Sequence, residues 1–334
     1  MGSQLNEEIE LKKILFTNRY TGLPLEIVKS VAPQGFRIEM LSEPTAECFA
    51  QSVVDADYIL AGGRVRIDDA ILDNAKQLRM IQRSGVGLDS IDLDSLRRHN
   101  IPLYVNQGIN SQSVAEHALL LMLASLRRLP VIHRNTVAGI WKKQEQGVQT
   151  SELHGKTVGL IGMGNIARKL SVMLKAFGVR ILYYDPFRLD AKMEQELMVE
   201  LKEFAEVISE SDIVSLHCPL TDADKGMMNA ETISKMKPGA ILINTARGGL
   251  VDAKALYAAL ADGRLSFAGI DVHESEPIPA EYPLKSLPNV ILTPHIAGIT
   301  SDSFRNMMAE ALRNITLFDQ GRLSEIEHCR HISR

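Results

Sequence analysis

The segment Gly162-Met163-Gly164-Asn165-Ile166-Ala167 constrains this chain more than any other. It is a G-x-G-x-x-A loop that follows the β-rich run Thr157 to Ile161 and opens the helical stretch Asn165 to Phe177. A strand, a tight turn and a helix folded back on the strand make use of all three small residues. Gly162 permits the turn, Gly164 lets the backbone approach a pyrophosphate, and Ala167 keeps the helix close to the strand. The first amide groups of a helix have no partner inside it, so those near Asn165 and Ile166 face the phosphates. Asp185 ends the next strand-like run, Arg180 to Tyr184, where a carboxylate accepts hydrogen bonds from an adenosine ribose. Its charge repels a 2′-phosphate and favours NAD over NADP, and Arg188 nearby pulls weakly the other way.

Around this loop the chain alternates strand-like and helical patterns, the signature of a parallel α/β protein. One series runs through Ile14 to Phe16, Phe36 to Leu41, Tyr58 to Ala61, Arg79 to Gln82 and Leu103 to Val105. A second begins with Thr157 to Ile161 and Arg180 to Tyr184, then continues with Ile213 to His217, Ala240 to Asn244, Phe267 to Asp271 and Val290 to Thr293. Six strands with crossovers suit a complete dinucleotide-binding sheet. The 334 residues suit two domains, although one large sheet also fits the pattern. Between the series, Ser113-Val114-Ala115-Glu116 reads as a capping box that starts a helix near Ser113 and carries it to about Leu129. That helix is apolar nearly all round and is expected to be covered on both sides, by another domain or by another subunit. A final helix spans about Ser301 to Phe318.

Composition narrows the partners. With 45% hydrophobic and 23% charged residues the chain suits a packed globular protein, and a net charge of −4 offers no general attraction to nucleic acid or anionic lipid. The longest apolar stretch, Ala118 to Ala124, is too short for a membrane span. Cys48, Cys218 and Cys329 are scattered, which argues against a disulfide framework and a cysteine metal site. No metal is expected, and the acidic start Glu7-Glu8-Ile9-Glu10 lacks the layout of a signal peptide. A cytoplasmic location is the expectation.

Three polar segments end the later strands of the second series, where open α/β sheets bind ligands. They are Asn244 to Asp252, Asp271 to Pro277 and Thr293 to Gly298. Together they bring an arginine, a carboxylate and a histidine to one end of the sheet. Hydride transfer to a 2-keto acid needs a fork for the carboxylate, a proton donor for the developing alkoxide and a group that orients the donor.

The chain resembles the D-isomer-specific 2-hydroxyacid dehydrogenases from about Ile14 to Phe318. The motifs that carry the likeness are Arg83-Ser84-Gly85-Val86-Gly87-Leu88-Asp89, Ser113-Val114-Ala115-Glu116-His117, the glycine loop, Lys237-Pro238-Gly239-Ala240 and the three polar segments. The resemblance implies a flavodoxin-like substrate domain, residues 1–107 and 299–334, into which a Rossmann NAD-binding domain, residues 108–298, is inserted. It implies that Arg247 binds substrate, that His295 is the acid/base and that Glu276 is its partner, with Glu274 the rival. Ser84, Gly85, Val86 and Gly87 would meet the substrate's carboxylate. His217, Cys218 and Pro219 would lie near the adenosine, with Cys218 a wall residue. Thr245, Ala246 and Arg247 would line the nicotinamide, Asp271 would accept its carboxamide, and His295, Ala297 and Gly298 would complete the cofactor site.

The substrate stays open at this level. Arg83 matches a position that is also Arg in phosphoglycerate dehydrogenases, but Gly62-Gly63 replaces their phosphate-binding Arg-Ser pair, for which Arg64 or Arg66 could compensate. A small acid such as glyoxylate, hydroxypyruvate or pyruvate ranks above 3-phosphohydroxypyruvate. Formate dehydrogenases of the superfamily carry Gln where Glu276 stands. An NAD-sensing corepressor-like protein is the non-enzymatic alternative. The helix from Ser113 and the following segment with Trp141 match the family's dimer contact, so a homodimer through the NAD-binding domain is expected.

Overall fold

The structure, a computed structural model, describes residues 11–63, 65–326 and the backbone of 329–331. The chain divides into two compact units. One is built from the chain up to Asn110 and again from Ser301 onward, and the other is Ser111–Thr300.

The first unit alternates β1 (Lys12–Phe16), α1 (Gly22–Ser30), β2 (Phe36–Met40), α2 (Ala46–Ser52), β3 (Tyr58–Ala61), α3 (Asp69–Leu72), β4 (Met80–Arg83), α4 (Leu93–Arg98) and β5 (Leu103–Asn106). β3 is buried along its whole length, as expected of a central parallel strand covered on both faces. The five parallel strands lie in the order β2-β1-β3-β4-β5, the flavodoxin-like arrangement.

The second unit contains α5 (Ser111–Leu126), α6 (Leu129–Val137), α7 (Lys143–Gly147), β6 (Thr157–Ile161), α8 (Asn165–Lys175), β7 (Arg180–Tyr184), α9 (Ala191–Leu197) and β8 (Val199–Leu201). It continues with α10 (Phe204–Glu210), β9 (Ile213–Leu216), α11 (Ala230–Lys235), β10 (Ala240–Asn244), α12 (Ala253–Ala261), β11 (Leu265–Ile270) and β12 (Val290–Leu292). Its parallel sheet has the order β12-β11-β10-β9-β6-β7-β8. This is the doubly wound Rossmann order with one further strand. The order reverses between β6 and β9, so the loops after these two strands flank the crevice where such sheets bind ligands. The chain then returns to the first unit as α13 (Ser301–Asp319), which buries Phe304, Met307, Met308, Ala311, Leu312 and Ile315 in that unit's core. β13 (Cys329–His331) pairs antiparallel with β5.

Several expectations require correction. The second sheet has seven strands, not six: β8 is a three-residue edge strand whose single buried-exposed alternation is too short to stand out. The long helix starts at Ser111, not Ser113, and ends at Leu126, not Leu129. Arg128 takes a left-handed conformation and a second helix follows. No capping box exists at Ser113. That residue lies inside α5 with its hydroxyl donated to the carbonyl of Ala297 at 2.7 Å, and Glu116 instead accepts from Gln112. Within the single chain α5 leaves Leu120 exposed.

Candidate active site

The glycine loop follows the sequence logic closely. Gly162 has φ +93°, and a Cβ there would lie 2.7 Å from the Cys218 amide nitrogen and 2.8 Å from the His217 carbonyl carbon. This position requires glycine for both reasons. Gly164 caps α8 with open space beside its Cα, and the amides of Asn165 and Ile166 begin the helix. Ala167 is fully buried. Asp185 pins the loop: one carboxylate oxygen accepts from the Met163 amide at 2.7 Å and the other from the Phe187 amide at 2.8 Å.

Across the crevice, the end of β9 carries His217-Cys218-Pro219. The His217 ring places Nε2 2.9 Å from Ser215 Oγ, while its buried Nδ1 has no partner among the described residues. Burial pushes the His217 imidazole down to about 4 and the Cys218 thiol up to about 11. Cys218 is therefore held as a thiol, which suits a wall and not a nucleophile. Thr245, after β10, also buries an unpartnered hydroxyl. Two orphaned polar atoms, open space at Gly164 and free helix amides are the donor set that a dinucleotide would use, so the residues present fit NAD.

Arg247, Glu276 and His295 all belong to the second unit. Asn244 shapes the turn that carries Arg247, accepting from the Ala246 amide at 3.0 Å and donating to the Arg247 carbonyl at 2.9 Å. His295 Nδ1 lies 2.9 Å from Glu276 Oε2, while Glu276 Oε1 accepts from the His273 amide at 2.7 Å. Both carboxylate oxygens are thus engaged, and the contact is made by Glu276, whereas Glu274 is exposed. His295 is half-exposed and has φ +58°, a left-handed conformation that costs energy in a non-glycine residue and is held by surrounding bonds.

Those bonds come from residues that the motifs did not single out for this purpose. Asp271 is fully buried; its Oδ1 accepts from Thr293 Oγ1 (2.6 Å) and the Ile296 amide (3.0 Å), and its Oδ2 from the Ala297 amide (2.9 Å). The His295 amide donates to the Asp271 carbonyl at 2.7 Å. Asp271 therefore organises the histidine turn, whatever else it binds. From α5, one turn apart, Ser113 reaches Ala297 and His117 Nε2 lies 3.2 Å from Thr293 Oγ1. His273 Nε2 donates to the Thr293 carbonyl at 3.0 Å, so one residue braces both Glu276 and the histidine turn. A Cβ on Gly248 would overlap the backbone of His273 and Glu274, so the arginine turn packs directly on the glutamate loop. The i, i+4 spacing of Ser113 and His117 was the one available signal for the α5 brace, and the capping-box reading obscured it.

Comparison with known proteins settles the family. Residues 119–297 match the family model described as D-isomer specific 2-hydroxyacid dehydrogenase, NAD binding domain. The chain belongs to the D-isomer-specific 2-hydroxyacid dehydrogenases. That family comprises oxidoreductases, and the matched segment is its NAD-binding domain. The chain is 38% identical over 265 residues to a hydroxypyruvate reductase of Thermotoga maritima, covering 79% of this chain and 85% of that protein. It is 35% identical over 283 residues to a D-3-phosphoglycerate dehydrogenase of Archaeoglobus fulgidus, covering 84% of this chain but 53% of that protein. The chain thus spans about half the length of that relative. Among solved structures, an NAD-dependent formate dehydrogenase from Staphylococcus aureus in complex with NAD superposes with a TM-score of 0.83 at 26% identity, covering 97% of this chain and 99% of that one.

The loop Ser84–Gly87 lies in the first unit. The Ser84 amide is spent on the Ala61 carbonyl at 3.0 Å. A Cβ on Gly85 would meet nothing within 4 Å, so a ligand could approach the backbone there. The Arg83 guanidinium braces the loop, donating to the Gly87 carbonyl at 2.9 Å and the Gly63 carbonyl at 3.3 Å. Arg66 pairs with Asp68 at 2.9 Å and approaches Asp92 at 3.8 Å. Arg64 lies outside the described residues. Among the described residues no helix is long and apolar enough to cross a membrane, and no group of three metal-ligating side chains occurs.

Proposed function

We propose that this chain interconverts a small D-2-hydroxy acid and its 2-keto acid using NAD. The observation that carries the reading is the 2.9 Å contact of His295 Nδ1 with a Glu276 carboxylate whose other oxygen is held by the His273 amide. NAD held by these residues would supply the hydride donor and acceptor for the substrate's C2. Arg247 grips the carboxylate and the carbonyl oxygen with its planar fork. With Nδ1 turned to Glu276, His295 Nε2 gives a proton to the carbonyl oxygen during reduction and takes the hydroxyl proton during oxidation. Glu276 favours the protonated ring and fixes its orientation. Gly162, Gly164, Asn165 and Ile166 would receive the pyrophosphate and Asp185 the ribose. His217, Cys218 and Pro219 would lie near the adenosine. Thr245, Ala246, Asp271, Ala297 and Gly298 would surround the nicotinamide. The backbone of Ser84, Gly85, Val86 and Gly87 would take part in holding the substrate, with the Ser84 amide already committed.

For the substrate we favour glyoxylate, hydroxypyruvate or pyruvate over 3-phosphohydroxypyruvate. Support comes from Arg83 and Arg66, both engaged within the first unit by carbonyls or carboxylates. We also infer a homodimer through the NAD-binding domain, supported by exposed apolar side chains on and after α6: Val137 is 75%, Trp141 82% and Val148 82% exposed. A cytoplasmic location is consistent with the free thiols of Cys48 and Cys218.

NADH oxidation against a panel of 2-keto acids tests the reading. Turnover should be highest on the small acids, and His295→Asn should lower kcat by roughly 100-fold or more because the proton donor is lost. A preference for 3-phosphohydroxypyruvate would overturn the substrate choice. NADH binding without turnover on any acid would favour the sensor reading.

A further inference from the structure

The loop after β7 holds a charge arrangement that the catalytic reading does not use. Arg188, three residues beyond Asp185, donates from Nε to Glu194 Oε1 at 3.0 Å and from Nη2 to Glu194 Oε2 at 2.9 Å. Two parallel bonds of this kind are the strongest geometry available to a guanidinium and a carboxylate. The partners differ in exposure: the Arg188 side chain is 66% exposed and that of Glu194 only 14%. Glu194 is also fixed from the core, because the hydroxyl of fully buried Tyr183 donates to its Oε1 at 2.6 Å. The same hydroxyl accepts from the Leu189 amide at 3.1 Å, which ties the loop to the strand. Arg188 and Tyr183 hold the Glu194 carboxyl below its usual range. Glu194 is thus an anchored anion and Arg188 a surface cation captured by it.

This bears on the choice between dinucleotides. A 2′-phosphate would meet the Asp185 carboxylate, which the Met163 and Phe187 amides keep in place. Tolerance of that phosphate needs a cation to offset the repulsion, and an arginine close to the acidic position is the usual means. Arg188 is the arginine of this loop; the paired bonds from Nε and Nη2 fix its guanidinium on Glu194 and offset its charge there, leaving Nη1 without the net positive charge that a phosphate needs. We propose that Glu194 is a cofactor-specificity residue, withholding Arg188 from a 2′-phosphate and so reinforcing the preference for NAD set by Asp185. Glu194 touches no cofactor in this scheme and acts only through Arg188. The proposal rests on the reading of Asp185 as the ribose-binding residue.

The test is calorimetric titration of NADH and NADPH into the wild type, Glu194→Gln and the double variant Glu194→Gln/Arg188→Ala. Glutamine keeps the shape and can still accept from Tyr183, but it lacks the charge that holds the guanidinium. In Glu194→Gln the Kd for NADPH should fall about tenfold while that for NADH stays within about twofold, since a phosphate gains a charge-assisted arginine contact. The double variant should return NADPH to its wild-type affinity. An unchanged NADPH affinity in Glu194→Gln, or a gain that survives the loss of Arg188, would overturn the proposal. If Glu194→Gln fails to fold, Glu194→Ala removes the same charge and carries the same expectations. A wild type that binds neither nucleotide would fail at the underlying cofactor reading, and a wild type that binds NADH would leave only the role of Glu194 at issue.

Discussion

At the scale of single residues, His217 shows how a proposed cofactor site stores a stability cost. Its buried ring, with one unpartnered nitrogen, has a pKa near 4 in the folded chain against an ordinary value of 6.5. Between those values the unfolded chain binds more protons, so stability is present above about pH 6.5 and is lost as the pH falls towards 4. The loss from pH 7 to pH 5 should be about 2 kcal/mol from this group. Urea unfolding at the two pH values checks it: His217→Gln should show a loss smaller by that amount, and equal losses would reject the assignment. Residue identity was largely legible from sequence here. The candidate catalytic trio was marked by its position after strands. The resemblance implies Glu276 over its rival Glu274, and the path of the loop, which brings Glu276 to His295, gives the physical reason.

Elements meet around the histidine turn. α5 supplies Ser113 and His117, β11 leads into Asp271, β12 ends at Thr293, and the turn bearing Arg247 packs against the loop of His273. Gly248 is where two of these pieces touch without room for a methyl group. Gly248→Ala should force the arginine turn away from the glutamate loop, costing about 1–3 kcal/mol of stability and lowering kcat as Arg247 and Glu276 lose register. Thermal unfolding and steady-state kinetics together test this. Normal values in both would mean that the loops yield freely and that the close approach has no mechanical role. Periodicity exposed the strands and the glycine loop because those signals are local. It misread Ser113 because a Ser-x-x-Glu spacing fits both a helix start and a helix interior, and the carbonyl that decides between them is on Ala297.

At the scale of the whole molecule, the first unit is closed by a helix nearly two hundred residues beyond its last parallel strand, α13, whose far end accepts bonds at Asp319 from Lys12, Tyr58 and Arg79. The second unit leaves Val137, Trp141 and Val148 open to solvent. Light scattering on the eluting peak should give the mass of two chains, and Val137→Asp combined with Trp141→Asp should shift it to one by placing charges in a desolvated interface. A wild type that elutes as a monomer would reject the dimer.

The sequence by itself determined the α/β class, the Rossmann loop with its acid, and the order of the polar segments that end the strands. All of these are written in spacings of a few residues, where backbone geometry and side-chain alternation act directly. Only the tertiary structure decided that Asp271 is spent on the histidine turn, that Ser113 faces Ala297 and that Glu194 captures Arg188. A buried polar group must find a partner, but which one it finds depends on how distant segments pack. The spacing along the chain carries no record of that choice.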